Sequence, residues 1–122
     1  MDIFEFTRNF TTYLSEGNYE KARACYQPNC KIWHSYNNHT QNVDENLALL
    51  KRMLEVSLKV EYDIHRVEKI TGGYLQHHTL KMTAKNGKIY STEACLIATL
   101  KDGKLAEIKE WIDDAPLAPI FA

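Results

Sequence analysis

The sequence predicts an α+β domain in which helices lie against a curved antiparallel sheet. Apolar residues recur at helical spacing through most of the first half of the chain. Long runs with strand-like alternation fill the second half. These runs are separated by three turn signals, Gly72-Gly73, Asn86-Gly87 and Asp102-Gly103. Such pairs are typical of tight hairpins, because these turns need residues with positive φ. Helices segregated from an antiparallel sheet are the pattern of the α+β class.

Capping and termination signals delimit three helices in the first half. Asp2 is placed to cap the first helix, and Gly17 lies where that helix would end. Asn18 can cap a second, short helix that ends before Pro28. Asn42, with a glutamate three residues later, resembles the capping box that opens a helix. We therefore expect two helices, a connecting segment and a third helix.

Five strands are expected, one short and four long. The short strand covers residues 31–36, and its period of two places Ile32, His34 and Tyr36 on one face and Trp33 on the other. The four long strands are expected at residues 60–70, 74–84, 88–100 and 104–113. The tail from residue 115 has two prolines and no period, so we expect no element there. Because long strands twist and curl, helices that cover one face only in part would leave a cone with a pocket.

Length, charge and cysteine content limit the class of protein. The 122 residues have the length of one domain, which we expect to span residues 1–122. The net charge of −1 gives no electrostatic footprint for nucleic acid or an anionic membrane, and no apolar run approaches the roughly 20 residues that span a bilayer. The N-terminus is acidic and polar, unlike a signal peptide, and the three cysteines lack C-x-x-C spacing, which favours reduced thiols. We therefore expect a cytoplasmic protein without nucleic-acid or membrane partners.

The order of elements resembles the nuclear transport factor 2-like superfamily. The helix–strand join at residues 24–34 and the ending at residues 102–113 carry this likeness, which covers the chain from about Phe6 to Asp114. Three segments further resemble SnoaL-like polyketide cyclase domains, relatives of ketosteroid isomerase: Ile32-Trp33-His34-Ser35-Tyr36, Leu75-Gln76-His77-His78 and Glu110-Trp111-Ile112-Asp113. The resemblance implies a cystatin-like roll with a cone-shaped pocket. It also implies a homodimer formed through the outer face of the sheet.

The resemblance also implies roles for individual residues. Its general base would be His34, where ketosteroid isomerase has an aspartate. The tyrosine donor of the isomerases matches Phe10, which cannot donate a hydrogen bond, and the only acid near their second donor is Glu93. Both departures argue against steroid isomerase activity. In the polyketide cyclases an acid near the end of the last strand acts as acid or base, and Asp113 is the best match, with Glu110 as its neighbour.

Strand alternation indicates independently which polar groups face inward. Between residues 74 and 82 the even positions are the more apolar, so Gln76 and His78 are expected in the cavity and His77 outside it. In the last strand the same alternation favours Glu110 as the inward acid. Asp113 lies at the strand end, where alternation is a weak guide, so both acids are retained.

The candidate catalytic residues are therefore His34, His78, Glu110 and Asp113. A neutral imidazole accepts a proton near pH 7, a nearby carboxylate stabilises the resulting cation, and a carboxylic acid in an apolar pocket has a raised pKa. The alternative is that these groups only hydrogen-bond one another. The candidate ligand-binding residues are Phe10, Trp33, Tyr36, Tyr62, Gln76 and Ile112. Their aromatic members could equally be core or dimer-interface residues.

We expect the chain to bind a small, mostly apolar molecule in the cone. The implied chemistry is cofactor-free proton transfer in an isomerisation, a cyclisation or a dehydration. His34 and His78 together with a carboxylate could bind a metal ion. No local spacing of ligand residues indicates such a site, so neither a metal nor a cofactor is expected. Two alternatives stay open: a non-catalytic ligand-binding protein, and a dimerisation or protein-interaction module. The expected partners are a small-molecule ligand and a second copy of the chain.

Overall fold

The computed structural model describes all residues from 1 to 122 and has the predicted α+β architecture. The helices are α1 Ile3–Glu16, α2 Tyr19–Ala24, α3 Val43–Glu55 and α4 Ala118–Phe121, with a 3₁₀ turn at Ala115–Leu117. The strands are β1 Tyr26–His34, β2 Thr40–Gln41, β3 Ser57–Ile70, β4 Gly73–Ala84, β5 Ile89–Lys101 and β6 Lys104–Ile112. They form one curved, unclosed sheet in the order β2-β1-β6-β5-β4-β3. None of the helices has both the length and the apolar character needed to cross a lipid bilayer.

Each of the three predicted helices begins after its predicted cap residue, and α1 ends at Gly17 as predicted. The carboxylate of Asp2 accepts hydrogen bonds from two backbone N–H groups of the first turn of α1, and Gly17 ends that helix with φ of 71°. Asn42 and Glu45 form the reciprocal hydrogen bonds of a capping box at the start of α3. These local bonds satisfy backbone groups that a helix end leaves unpaired, and they set where α1 and α3 meet the sheet.

The four long strands form an antiparallel meander, β3 to β6, as predicted. Gly73 begins β4 at a point of close backbone approach. A Cβ atom built at Gly73 would overlap the carbonyl oxygen of Ala98 on β5. The turn glycine Gly87, in contrast, has open space around it and a φ of 87°. Glycine is therefore required by packing at one hairpin and by backbone conformation at another.

The first strand differs from its prediction in length and direction. β1 begins at Tyr26 and pairs with β6 in parallel, so the sheet is not antiparallel throughout. Pro28 lies within β1, where we expected only the end of a helix. The register between β1 and β6 shifts between Tyr26 and Lys31, and this irregular stretch accommodates Pro28, which has no N–H to donate. β1 ends at His34, so Tyr36 lies in the following turn rather than in the strand.

The C-terminal tail is structured, contrary to the sequence-based expectation. Its two prolines stand in the first turns of the 3₁₀ segment and of α4, where a missing N–H costs nothing. Leu117 and Ile120 are buried in the main hydrophobic core. That core lies between the helices and one face of the sheet, with α1 packed on β3 and α3 on both β1 and β3.

Candidate functional site

A cavity of about 110 Å³ lies between the helices and the inner face of the sheet. Thirteen of its nineteen lining residues are hydrophobic, so a ligand in it would meet a mainly apolar wall. Its non-hydrophobic lining residues are Thr11, His34, Asn46, Gln76, His78 and Glu110. A few polar groups converging in an apolar cavity are the usual composition of a small-molecule site.

The parallel pairing of β1 and β6 places His34 opposite Glu110. The two residues are register partners, and Nε2 of His34 lies 3.3 Å from Oε1 of Glu110. The side chain of His34 is 7% exposed and that of Glu110 is 17% exposed. Burial in a mainly apolar environment strengthens the electrostatic interaction between a carboxylate and an imidazolium. Glu110 is therefore positioned to stabilise a proton on His34.

On β4, Gln76 and His78 are also directed into the cavity, and they contact each other. The amide nitrogen of Gln76 lies 2.9 Å from Nδ1 of His78. Because an amide nitrogen can only donate, Nδ1 accepts and neutral His78 carries its proton on Nε2. That nitrogen lies 3.8 Å from Oε2 of Glu110. Burial lowers the pKa of His78, and the charge of Glu110 only partly opposes this effect.

Two buried imidazole nitrogens in this group have no hydrogen-bond partner in the protein. They are Nδ1 of His34 and Nε2 of His78. Buried polar side-chain atoms are paired in the large majority of cases, so an unpaired atom calls for an explanation. Both belong to cavity-lining residues, and together they provide one acceptor and one donor for a bound molecule.

Two tyrosines stand beside the histidines. The ring centroid of Tyr36 lies 5.3 Å from that of His34, and the ring centroid of Tyr62 lies 5.7 Å from that of His78. Burial, followed by the charge of Glu110, raises the pKa of Tyr62 above its usual range. Burial and nearby carboxylates also raise the pKa of Tyr36. Both phenols therefore stay protonated at neutral pH and keep a hydroxyl that can donate.

Sequence reasoning missed Asn46, a polar residue of the cavity wall. Its side-chain oxygen accepts a 2.7 Å hydrogen bond from the hydroxyl of Tyr26, and its amide donates to Gln41 at 2.9 Å. The available signal was its spacing, because Asn46 stands three residues after Val43 within the apolar stripe of α3. Such a residue faces the core, and it needs partners there.

Comparison with known proteins assigns the family. The family model of the SnoaL-like domain matches residues 7–108, which is most of the chain. The chain belongs to the SnoaL-like domain family. No curated protein matches the sequence.

Solved structures that share the fold of this SnoaL-like domain share little of its sequence. IdmH from Streptomyces antibioticus, a proposed polyketide cyclase, is 9% identical with a TM-score of 0.85, and the match covers 99% of each chain. AclR from Streptomyces galilaeus, a proposed hydroxylase, is 11% identical with a TM-score of 0.84 and covers 98% of this chain and 96% of its own. PrhC from Penicillium brasilianum is 14% identical with a TM-score of 0.82, covering 97% and 84% respectively. At these identities the likeness establishes the nuclear transport factor 2-like fold and not the reaction.

The SnoaL-like domain brings most of the candidate residues together but leaves two outside. The cavity wall contains His34, His78 and Glu110 of the candidate catalytic set, and Phe10, Tyr36, Tyr62, Gln76 and Ile112 of the candidate ligand-binding set. Asp113 and Trp33 do not line the cavity.

The expectation that Asp113 is a cavity carboxylate is wrong. β6 ends at Ile112, and Asp113 begins the turn that follows. Its side chain is exposed, and one carboxylate oxygen accepts a hydrogen bond from the backbone N–H of Ala115 at 3.0 Å. Asp113 thus bonds the backbone at the start of the C-terminal 3₁₀ segment, outside the cavity, and Glu110 is the acid of the cavity.

The expectation that Trp33 binds a ligand in the cavity is also wrong. Trp33 follows the alternation of β1 and lies on the outer face, where its ring centroid is 5.4 Å from that of Trp111. Its indole N–H donates to the side-chain oxygen of Asn38 at 2.8 Å. Because successive side chains of a strand point to opposite faces and His34 is directed inward, the side chain of Trp33 points away from the cavity.

Proposed function

We propose that this SnoaL-like domain binds a small, mostly apolar carbonyl compound in its cavity and transfers a proton on it without a cofactor. The observation that carries the proposal is the position of Glu110 between two buried imidazoles in a mainly apolar cavity. Buried titratable groups that converge in a cleft are candidates for a functional site.

In this proposal His34 is the general base. Its Nε2 faces Glu110 at 3.3 Å, while its Nδ1 has no partner in the protein. With the proton of neutral His34 on the nitrogen that faces the carboxylate, the lone pair of Nδ1 is free to accept a proton from carbon. Glu110 then stabilises the imidazolium that forms, as the carboxylate of a catalytic triad does.

His78 would stabilise the negative charge that develops on the substrate oxygen. The hydrogen bond from Gln76 holds the proton of His78 on Nε2, the unpaired nitrogen. A neutral imidazole N–H fixed in advance is a suitable donor to an enolate oxygen, because it needs no reorganisation during the reaction. The hydroxyl of Tyr36 is a second donor on the same wall. His78 and Tyr36 would thus donate the hydrogen bonds to the substrate oxygen that Phe10, which has no hydroxyl, cannot donate.

The dimensions of the cavity limit the substrate. Its volume of about 110 Å³ is below the roughly 300–1,000 Å³ of sites for drug-sized ligands and near that of an apolar cavity of about 150 Å³ known to hold benzene. We therefore propose a substrate with about one ring inside the cavity. A groove of about 400 Å³ beside the C-terminal segment shares Tyr36, Leu49 and Met53 with the cavity wall and offers room for a further part of the molecule.

Isomerisation, aldol-type cyclisation and dehydration all begin with removal of a proton next to a carbonyl group. The donor and acceptor pair described above fits that shared step and does not distinguish the three outcomes. The assignment of the structurally similar IdmH as a proposed polyketide cyclase is in line with this class of chemistry.

The test uses 3-cyclohexen-1-one, a single-ring ketone that becomes conjugated when a proton moves from one carbon to another. We expect the wild-type protein to accelerate the rise in ultraviolet absorbance, and His34→Ala to lower the rate about 10²–10⁴-fold. His39→Ala is the matched control, because His39 lies 3.2 Å from Glu45 in a similar but exposed pair. Saturable binding of the ketone without conversion would instead support the non-catalytic ligand-binding alternative. Absence of both binding and conversion would contradict the proposal.

We propose further that two copies associate through the outer face of the sheet. Exposed apolar side chains on this face support the interface: Trp111 is 44% exposed and Ile97 is 37% exposed, and Trp33 packs against Trp111. Apolar and aromatic groups of this kind are enriched in homodimer interfaces. Light scattering should return about twice the chain mass of 14.1 kDa, and Trp111→Lys should shift it to the single-chain value. A wild-type mass near 14.1 kDa would contradict a dimer.

A cytoplasmic location is part of the proposal. All three cysteines are free, which fits a reducing compartment. Fractionation of the source cells with an antibody to the protein would test this location.

A further inference from the structure

Two histidines and a glutamate meet on the outer face of the sheet, away from the cavity. His65 lies on β3, His77 on β4 and Glu93 on β5, and one ligand atom from each lies within 4.8 Å of the other two. Nε2 of His77 is 3.0 Å, and Nε2 of His65 is 3.9 Å, from the same oxygen, Oε2 of Glu93. We propose that these three side chains form a binding site for a divalent transition-metal ion such as Zn²⁺.

A β-bulge brings the first of these histidines into place. Ile64 pairs with His78, whereas Arg66 pairs with His77, so His65 is an extra residue without a partner on β4. Bulges bend a strand and redirect a side chain. The ring of His65 consequently lies 4.9 Å from the ring of His77, on the face opposite to the inward-directed His78.

The distances fit a tetrahedral zinc site after small side-chain movements. Zinc binds imidazole nitrogen and carboxylate oxygen at about 2.0–2.2 Å, which places tetrahedral ligand atoms about 3.3 Å apart. The two nitrogen–oxygen distances, 3.0 and 3.9 Å, lie on either side of that value. In a single copy of the chain the side chains of His65, His77 and Glu93 are 39%, 45% and 65% exposed, so they have room to rotate and an ion can reach them. Three protein ligands leave one position for water or another donor.

The ligand types select the class of ion. Imidazole suits zinc, copper, nickel and cobalt, whereas calcium and magnesium prefer sites built from oxygen. With two nitrogen donors and one carboxylate, the outer-face cluster should discriminate against Mg²⁺. All three ligands come from one chain, so the site needs neither a second copy nor the chemistry of the cavity.

Thr79 acts as a positioning residue for this cluster. Its hydroxyl donates to Oε1 of Glu93 at 3.0 Å and accepts from Nε2 of His65 at 2.6 Å. On metal binding, neutral His65 would move its proton to Nδ1 by exchange with solvent, and Nε2 would turn from Thr79 to the ion. The bond from Thr79 to Glu93 would stay and orient the carboxylate, as hydrogen bonds to metal ligands commonly do.

The experiment is a calorimetric titration of the full chain, treated with EDTA and exchanged into chelator-free buffer, with ZnCl₂. We expect one ion per chain for the wild type, and Co²⁺ should give the visible absorption of a low-coordinate site. Loss of a residue that orients a ligand weakens metal binding about 10–100-fold, so we expect that effect for Thr79→Val and a larger one for His77→Ala. His39→Ala, which alters an exposed His–Glu pair without a second imidazole, should bind zinc like the wild type.

Three results would overturn the proposal. The first is the absence of zinc binding at millimolar concentration by both the wild type and Trp111→Lys, the variant expected to be a single chain. The second is loss of binding in His34→Ala with retention in His77→Ala, which would place the ion in the cavity. The third is binding of Mg²⁺ with the same affinity as Zn²⁺, which would show that only the charge of the cation is recognised.

Discussion

Glu110 and His34 face each other across the one parallel strand pair of the sheet. They are register partners on β6 and β1, and a carboxylate oxygen of Glu110 lies 3.3 Å from Nε2 of His34. The other carboxylate oxygen lies 3.8 Å from Nε2 of His78. Because paired strands rather than loops carry all three residues, the carboxylate is held in a fixed relation to both imidazoles. The proposed proton transfer depends on this arrangement.

Replacing Glu110 by glutamine should lower the turnover of 3-cyclohexen-1-one about 100-fold or more. The amide keeps the shape of the side chain but cannot stabilise an imidazolium at His34. Asp113→Asn is the matched control, because Asp113 is exposed and its carboxylate accepts a hydrogen bond from the backbone N–H of Ala115 outside the cavity. Initial rates measured by absorbance check both variants. A large loss in Asp113→Asn together with full activity in Glu110→Gln would reverse the assignment of the acid.

His78 should be a single tautomer, with its proton on Nε2. The amide of Gln76 donates to Nδ1 at 2.9 Å, which excludes a proton on that nitrogen. The ¹⁵N chemical shifts of the imidazole nitrogens, measured above pH 7 in the presence of EDTA, distinguish the two tautomers. Gln76→Leu removes the donor and should produce a mixture. A wild-type spectrum with the proton on Nδ1 would remove His78 as a donor to the substrate oxygen.

Gly73→Ala should destabilise the fold by about 3 kcal/mol or more, because a Cβ atom there overlaps the backbone of Ala98 and the β4–β5 pairing must shift. Gly87→Ala meets no neighbouring atom and should cost about 1–2 kcal/mol, from its positive φ alone. Urea denaturation followed by circular dichroism gives both values. Equal stability of the two variants would contradict the close approach at Gly73.

Cys30 should resist thiol reagents in the folded protein. Burial, followed by the charge of Glu107, raises the pKa of Cys30 to about 12. At pH 8 only about one molecule in ten thousand would carry the reactive thiolate. Because this pKa lies above the ordinary value of 9.0, the unfolded thiol loses its proton first, and the free energy of unfolding falls as the pH rises from about 9 toward 12.

Ellman's reagent checks the reactivity of Cys30. The native wild type and native Cys30→Ala should release the same amount of chromophore at pH 8, whereas denatured wild type should react at all three thiols. Rapid reaction of Cys30 in the native protein would show that the strand around it opens readily.

Most of the fold could be predicted because its signals are local. The caps at Asp2 and Asn42 act within one helical turn, and the hairpin glycines act within two to four residues. The parallel pairing of β1 with β6 joins residues more than seventy positions apart. No local sequence signal near Tyr26 predicts this pairing. The tail was missed for a related reason, since Leu117 and Ile120 become ordered by contact with the core rather than by local propensity.

The candidate site could be predicted for residues inside regular strands, where side chains alternate between the two faces of the sheet. Alternation placed His78 and Glu110 correctly, because both lie inside regular, paired strands. It could not place Asp113, which follows the last paired residue. The outer cluster lay beyond sequence reasoning altogether. A bulge in β3 brings His65 close to His77. A bulge moves every later residue of its strand to the opposite face of the sheet, and no sequence signal predicts where this one occurs.

The most direct test of the proposed proton transfer is the exchange of protons between cyclohexanone and D₂O, which proton NMR monitors. This measurement reports abstraction of a proton next to the carbonyl and needs no knowledge of the natural product. We expect the wild-type protein to accelerate loss of the signal from those protons, and His34→Ala to slow it about 10²–10⁴-fold while its circular dichroism spectrum is unchanged. Exchange at the wild-type rate in a folded His34→Ala variant would contradict the assignment of His34 as the base.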